Sequence, residues 1–172
     1  MSSCEASAQS RLCQSRLCHS RRVEIFNLLE AELADEERQE GWRLRSARVG
    51  DVLGATRIGG SVYELGEGQQ TFPYHYHHGV EEWLVVISGE PTLRTPDGER
   101  RLEPGDTVCF PAGSAGAHSV RGPGRLLVLS ANRDPSISVY PDSDRLGTRP
   151  ADQNDRLNFR RADAVGYWEG EA

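Results

Sequence analysis

The stretch PYHYHHGVEEW, residues 73–83, gathers three of the chain's five histidines and two adjacent glutamates into eleven residues. In extended chain, side chains at i and i+2 share a face, so His75 and His77 aim two imidazoles at one point while Tyr74, Tyr76 and His78 face away. Gly79 supplies the backbone freedom for a reversal, after which Glu81 or Glu82 returns a carboxylate toward the pair. Two histidines and a carboxylate make a donor set for divalent iron, manganese, nickel, copper or zinc. The plain alternative is a surface turn carrying ordinary histidines, but His-x-His followed by acid beyond a glycine turn seldom arises by chance.

Around this stretch, from residue 50 onward, short runs of β-branched and aromatic residues alternate with glycine and proline, the pattern of an antiparallel barrel or sandwich. Strands are expected at 55–65, 71–77, 82–88, 91–95, 98–102, 106–110, 117–121, 125–131 and 136–140. TPDG at 95–98 and EPGD at 103–106 supply tight turns. Strand 82–88 places Glu82, Leu84 and Val86 on one face and Trp83, Val85 and Ile87 on the other, so both faces call for burial. One lines the barrel, and the other meets a second sheet or a second subunit.

A chain of 172 residues suits one well-buried domain plus tails. Its net charge of −6 gives no electrostatic footprint for nucleic acid or an anionic membrane. The longest apolar runs, WLVVI at 83–87 and LLVL at 126–129, are too short to span a bilayer as helices. Residues 1–22 repeat QSRLC and offer little to bury, so they read as a disordered leader. Residues 23–49 form a flanking segment in which Phe26, Leu29 and Leu33 approach helical spacing behind Asn27 as a cap, for one short helix or a pair of turns. The acidic run from Asp35 to Glu37 is a solvated face. The barrel occupies 50–140, and 141–172 is a tail strapped onto it by burial of Phe159, Tyr167 and Trp168. Cys4, Cys13, Cys18 and Cys109 form no CxxC pair, and no secretory hydrophobic segment is visible, so free thiols in a reducing, cytoplasmic setting are expected. Cys109, between Val108 and Phe110, reads as a small buried hydrophobe.

Downstream, GDTVCFPAGSAGAH at 105–118 is a strand, a proline–glycine turn and then His118, a candidate further ligand if remote strands share one interior. Together the two segments resemble a small single-domain cupin. The first cupin motif is matched by Gly68, His75, His77, Glu82 and Gly89, with six residues rather than five before His75. The second is matched by Gly105, Pro111, Gly113 and His118, with four residues rather than two before the histidine and Gly122 in place of asparagine. The resemblance implies an all-β double-stranded β-helix, or jelly roll, with a metal held by His75, His77, Glu82 and His118. Six residues separate Glu82 from Gly89, as the motif requires, which selects Glu82 over Glu81.

Cupins resembling this chain include dioxygenases, sugar isomerases, epimerases, decarboxylases and plain binding proteins, and fold does not choose among them. The expectation is a metal-dependent enzyme acting on a small polar molecule, as a dioxygenase or a sugar-like isomerase. The alternative is a noncatalytic module binding metal and a small ligand. Tyr74, Tyr76, Phe72 and Arg94 are candidates to line a pocket, although packing and surface charge explain such residues equally well. Barrels of this kind pair sheet to sheet, so a homodimer is expected.

Overall fold

A computed structural model describes residues 23–37, 39–40, 42–131 and 135–171; the leader expected at 1–22 lies outside the described residues. Strands β1 (Ala34–Glu37) and β2 (Arg43–Ala47) and a one-turn helix α1 (Val49–Val52) precede β3 (Ile58–Leu65). The middle of the chain supplies β4 (Tyr76–His78), β5 (Glu82–Gly89), β6 (Thr92–Thr95), β7 (Gly98–Arg101), β8 (Thr107–Phe110), β9 (Ser119–Arg121) and β10 (Gly124–Ala131). β11 (Ser136–Tyr140), β12 (Arg145–Arg149) and β13 (Asn158–Arg160) follow. All pairings are antiparallel, in a six-stranded sheet ordered β1-β2-β3-β10-β5-β8, a four-stranded sheet β13-β12-β11-β4 and a three-stranded sheet β7-β6-β9. β10 inserts between β3 and β5, the non-sequential order of a jelly-roll barrel.

The interior is built by alternation. Leu84 and Val86 of β5 and Leu126 of β10 point inward, where they meet Leu44, Leu65, Leu93, Leu102, Phe110 and Val120. Each such side chain contributes about 1.5–3 kcal/mol by leaving water. The opposite face of the same strands carries a second cluster, Leu33, Val49 and Val62, against which Phe26, Leu28, Ile87 and Leu127 pack. Part of the outer face of β5 is thus covered from within the chain by the segment before β1. Arg125 ties that segment down, donating from Nη1 to Leu29 O at 3.2 Å and from Nη2 to Ala31 O at 2.7 Å.

The flanks depart from expectation. The Asn27 side chain does cap a turn, accepting from Leu29 N at 2.8 Å and Glu30 N at 3.2 Å, but a single turn follows and residues 34–37 then form β1. Pairing with β2 satisfies backbone groups that a helix would otherwise have to satisfy. The tail joins by backbone hydrogen bonding, with β13 on β12, and not by aromatic burial: Tyr167 and Trp168 are 87% and 76% exposed. Cys109 is also exposed, because the alternation that buries Phe110 turns its neighbour outward, opposite Trp83.

Candidate metal centre

Two backbone hydrogen bonds bring the halves of the site together. His75 and His118 form an isolated antiparallel bridge, His75 N donating to His118 O at 3.0 Å and His118 N to His75 O at 2.8 Å. β4 then carries His77 beside Ser138 of β11. Gly79, with φ of +80°, turns the chain from β4 toward β5, a conformation that L side chains resist. Gly113, with φ of +94°, donates its N–H to His77 O at 2.7 Å and so fastens the loop before His118 to β4.

His75, His77 and His118 are all buried. His75 Nδ1 lies 2.8 Å from Pro73 O, and His118 Nδ1 lies 2.9 Å from Gly116 O. A carbonyl oxygen only accepts, so Nδ1 carries the proton in both rings and, when the ring is neutral, Nε2 keeps a free lone pair. His77 Nδ1 is 3.1 Å from Ser138 Oγ, and its Nε2 is 3.1 Å from Glu82 Oε2. His118 Nε2 approaches the same oxygen at 3.6 Å. One ligand atom each from His75, His77 and Glu82 lie within 4.8 Å of one another. Phe110 stacks on His118 with centroids 3.7 Å apart, and Tyr140 stacks on His75 at 5.9 Å, which fixes both ring planes.

The electrostatics favour bare nitrogen donors around a carboxylate. Burial, reinforced by the neighbouring His118 and His77, pushes His75 down to about 4. Burial likewise lowers His118. For Glu82, burial alone would raise the carboxyl, but the hydrogen bond from His77 and the surrounding imidazoles outweigh it and hold the group below the usual carboxylate range. Neutral imidazoles and an ionised carboxylate are the forms that bind a divalent cation. The donor set therefore fits a transition metal: neutral His118 turns an Nε2 lone pair toward a carboxylate oxygen, a repulsion that a cation between them would relieve, with His77 Nε2 released from its hydrogen bond to Glu82 to join them.

Alternation on β5 separates the two glutamates as expected. Glu82 turns inward with Leu84 and Val86, whereas Glu81 accepts a hydrogen bond from Trp83 Nε1 at 3.0 Å on the outside. The cluster opens into a cavity of about 230 Å³, also lined by Phe72, Ser61, Tyr63, Ser130, Ser138 and Tyr140. Tyr74 and Arg94 lie elsewhere, in a groove where the Arg94 guanidinium sits 4.0 Å over the Tyr74 ring. Tyr76 packs against His78. Ser138 and Tyr140 escaped the sequence reading as site residues; both fall on a strand that was legible, but only the pairing of β11 with β4 places them over the imidazoles.

The Cupin domain family model matches residues 61–131, which span β3 to β10 and contain both histidine segments. Over these residues the chain matches a cupin domain. Among solved structures, this chain is similar to a candidate sugar phosphate isomerase from Acidithiobacillus ferrooxidans ATCC 23270, with TM-score 0.71 and 25% identity over 80% of this chain and 90% of that one. It is also similar to a sugar phosphate isomerase of the cupin superfamily from Silicibacter pomeroyi DSS-3, with TM-score 0.66 and 25% identity over 72% of this chain and 80% of that one. A polyketide cyclase from Streptomyces resistomycificus shares the fold at TM-score 0.52 and 22% identity, covering 65% of this chain and 81% of that one. No curated protein sequence matches. Cupins commonly bind a transition metal, and in this cupin domain His75, His77 and Glu82 have the spacing to form such a site. No helix among the described residues is long and apolar enough to cross a membrane.

Proposed function

We propose that this cupin is a metal-dependent isomerase of a small, sugar-like molecule, with His75, His77, Glu82 and His118 as the metal ligands. The observation that carries the reading is the convergence of the imidazole Nε2 atoms of His77 and His118 on one Glu82 oxygen, with every Nδ1 anchored behind them. Such anchoring orients ligands and raises their basicity. Bound there, a divalent cation supplies Lewis acidity toward a substrate carbonyl or hydroxyl. The chain's own part is to hold three neutral donors and one carboxylate in fixed directions and to wall the ligand from bulk water.

The cavity supports a small polar ligand. Its volume of about 230 Å³ is below the ~300–1,000 Å³ typical of pockets for drug-sized molecules. Hydroxyls of Ser61, Ser130, Ser138, Tyr63 and Tyr140 on its wall suit a polyhydroxylated substrate better than an apolar one. Two structural neighbours that bear the name sugar phosphate isomerase favour isomerisation over oxygen chemistry. The test is metal analysis of the purified chain, followed by aldose–ketose isomerase and oxygen-uptake screens with that metal restored. Metal retention with turnover of a sugar supports the reading; oxygen uptake moves the protein to the dioxygenases. Metal retention with neither activity leaves a binding module.

The same reading includes a homodimer formed through the outer face of β5, where Trp83 is 45% exposed beside the exposed Cys109. Light scattering should then give about twice the 19.0 kDa chain mass.

A further inference from the structure

The cavity that contains the imidazole cluster also has a cationic wall. Arg48, between β2 and α1, Arg149, the last residue of β12, and Arg156, just before β13, line it together with His75, His77 and Glu82. Among the described residues, none of the three guanidinium groups makes an ion pair or hydrogen bond, although Asp51 lies on the same wall.

The groove containing Tyr74 is also lined by three arginines, Arg94, Arg121 and Arg145, and there two of the three meet a carboxylate. Arg94 makes a bidentate pair with Asp142 at 2.6 and 2.9 Å, Arg121 reaches Glu99 at 3.4 Å, and Arg145 donates to Ser143 Oγ at 3.0 Å. Arg149 is half-buried and Arg48 and Arg156 are exposed, so the three present positive charge to an anion entering the cavity without a carboxylate among the described residues paired to them.

We propose that Arg48, Arg149 and Arg156 form an oxyanion subsite that receives the phosphate monoester group of the substrate while its other end faces the imidazole cluster. This rests on the metal-dependent reading above, which supplies the reacting end. Phosphate is favoured over carboxylate because it offers three oxygens and close to two negative charges to three planar donor forks, where a carboxylate offers two oxygens and one charge.

The experiment uses the full, metal-loaded chain and inorganic phosphate as the probe, with affinity read by calorimetry, fold by circular dichroism and metal content by elemental analysis. Arg149→Gln and the double variant Arg48→Gln/Arg156→Gln should each weaken phosphate by about tenfold or more with metal content unchanged. Arg149→Lys should lose less than Arg149→Gln, and Arg100→Gln on the exposed strand β7 should lose nothing. Equal phosphate affinity in the wild type and the cavity variants would overturn the proposal. So would an arginine effect that vanishes when the metal is stripped with a chelator, since phosphate would then be sitting on the cation alone. Acetate binding as tightly as phosphate overturns the phosphate assignment. A wild-type chain that takes up no metal yet shows the arginine dependence sinks the isomerase reading and leaves the subsite standing.

Discussion

The two faces of β5 are nearly equal in apolar content and opposite in fate. Leu84 and Val86 on the inner face are 1% exposed each, and Glu82 joins them with its carboxylate against His77. On the outer face Ile87 is packed under the segment before β1, while Trp83 stands 45% exposed. Hydrophobicity therefore does not decide which face is interior. What decides it is the polar cluster: a buried carboxylate is tolerable only where hydrogen bonds satisfy it, and His77 offers one on the inner face.

The sharpest way to break this comparison is to neutralise each glutamate in turn. Glu82→Gln should lose most bound metal, whereas Glu81→Gln should keep it, both with wild-type circular dichroism, as elemental analysis of purified protein will read. A metal-free Glu81 variant would reverse the assignment of the faces. Next in size is the packing contrast. Leu84→Ala should cost about 2–5 kcal/mol in denaturant unfolding, because it leaves a cavity in the main core. Trp83→Ala should cost about 1 kcal/mol or less in the isolated chain. Its larger effect should be on light scattering, where the proposed dimer should shift toward monomer; an unchanged mass would remove the outer face of β5 from the proposed contact.

A smaller effect sharpens the inner half of the comparison. Ser138→Ala removes the group behind His77 Nδ1 and should weaken metal affinity by about 10–100-fold without loss of fold, measured by competition with a chelator. The smallest concerns the far groove. The Arg94 guanidinium holds the Asp142 carboxyl below its ordinary value, so the folded state binds that proton less readily than the unfolded chain does. The pair's contribution is accordingly present at neutral pH and is lost as pH falls through the lowered carboxyl value. Both side chains are about half exposed, so Asp142→Asn should cost only about 0–1 kcal/mol at neutral pH and flatten the acid limb of the stability profile.

The sequence made the middle of the barrel legible and its edges not. Most strands from β3 to β11 carry alternating apolar residues or a tight hairpin turn, β4 being marked instead by its histidines, and each falls within or beside a stretch read as extended. β1, with sequence ADEE, has no apolar alternation, and β2 buries Leu44 alone as a large hydrophobe. β13 is exposed throughout. Such strands exist because a neighbour offers unpaired backbone groups, a fact about tertiary pairing that residue pattern does not carry. The four residues of the candidate site were readable for different reasons. His75 and His77 followed from local spacing, which left Glu81 and Glu82 open until the motif selected Glu82, while His118 was a candidate by position that gained weight only from the motif, since its partner across the bridge is remote in the chain. Ser138, Tyr140, Arg149 and Arg156 depend on β11, β12 and the tail folding back toward β4, and Arg48 on the connection from β2 to α1; no local pattern announces either. The exposure of Tyr167 and Trp168 shows the converse, that aromatic residues in a tail do not by themselves specify a docking surface.

The reciprocal bridge between His75 and His118 has a kinetic consequence. Its two amide hydrogens close a long loop, and loops of that kind form late in folding, because their entropy must be lost before the contacts they permit are made. A cation held by both histidines, as proposed above, would find its site only after the barrel has closed. Added metal should then leave the refolding rate almost untouched and act by slowing unfolding, so that the bridge amides would exchange with deuterium chiefly through global opening.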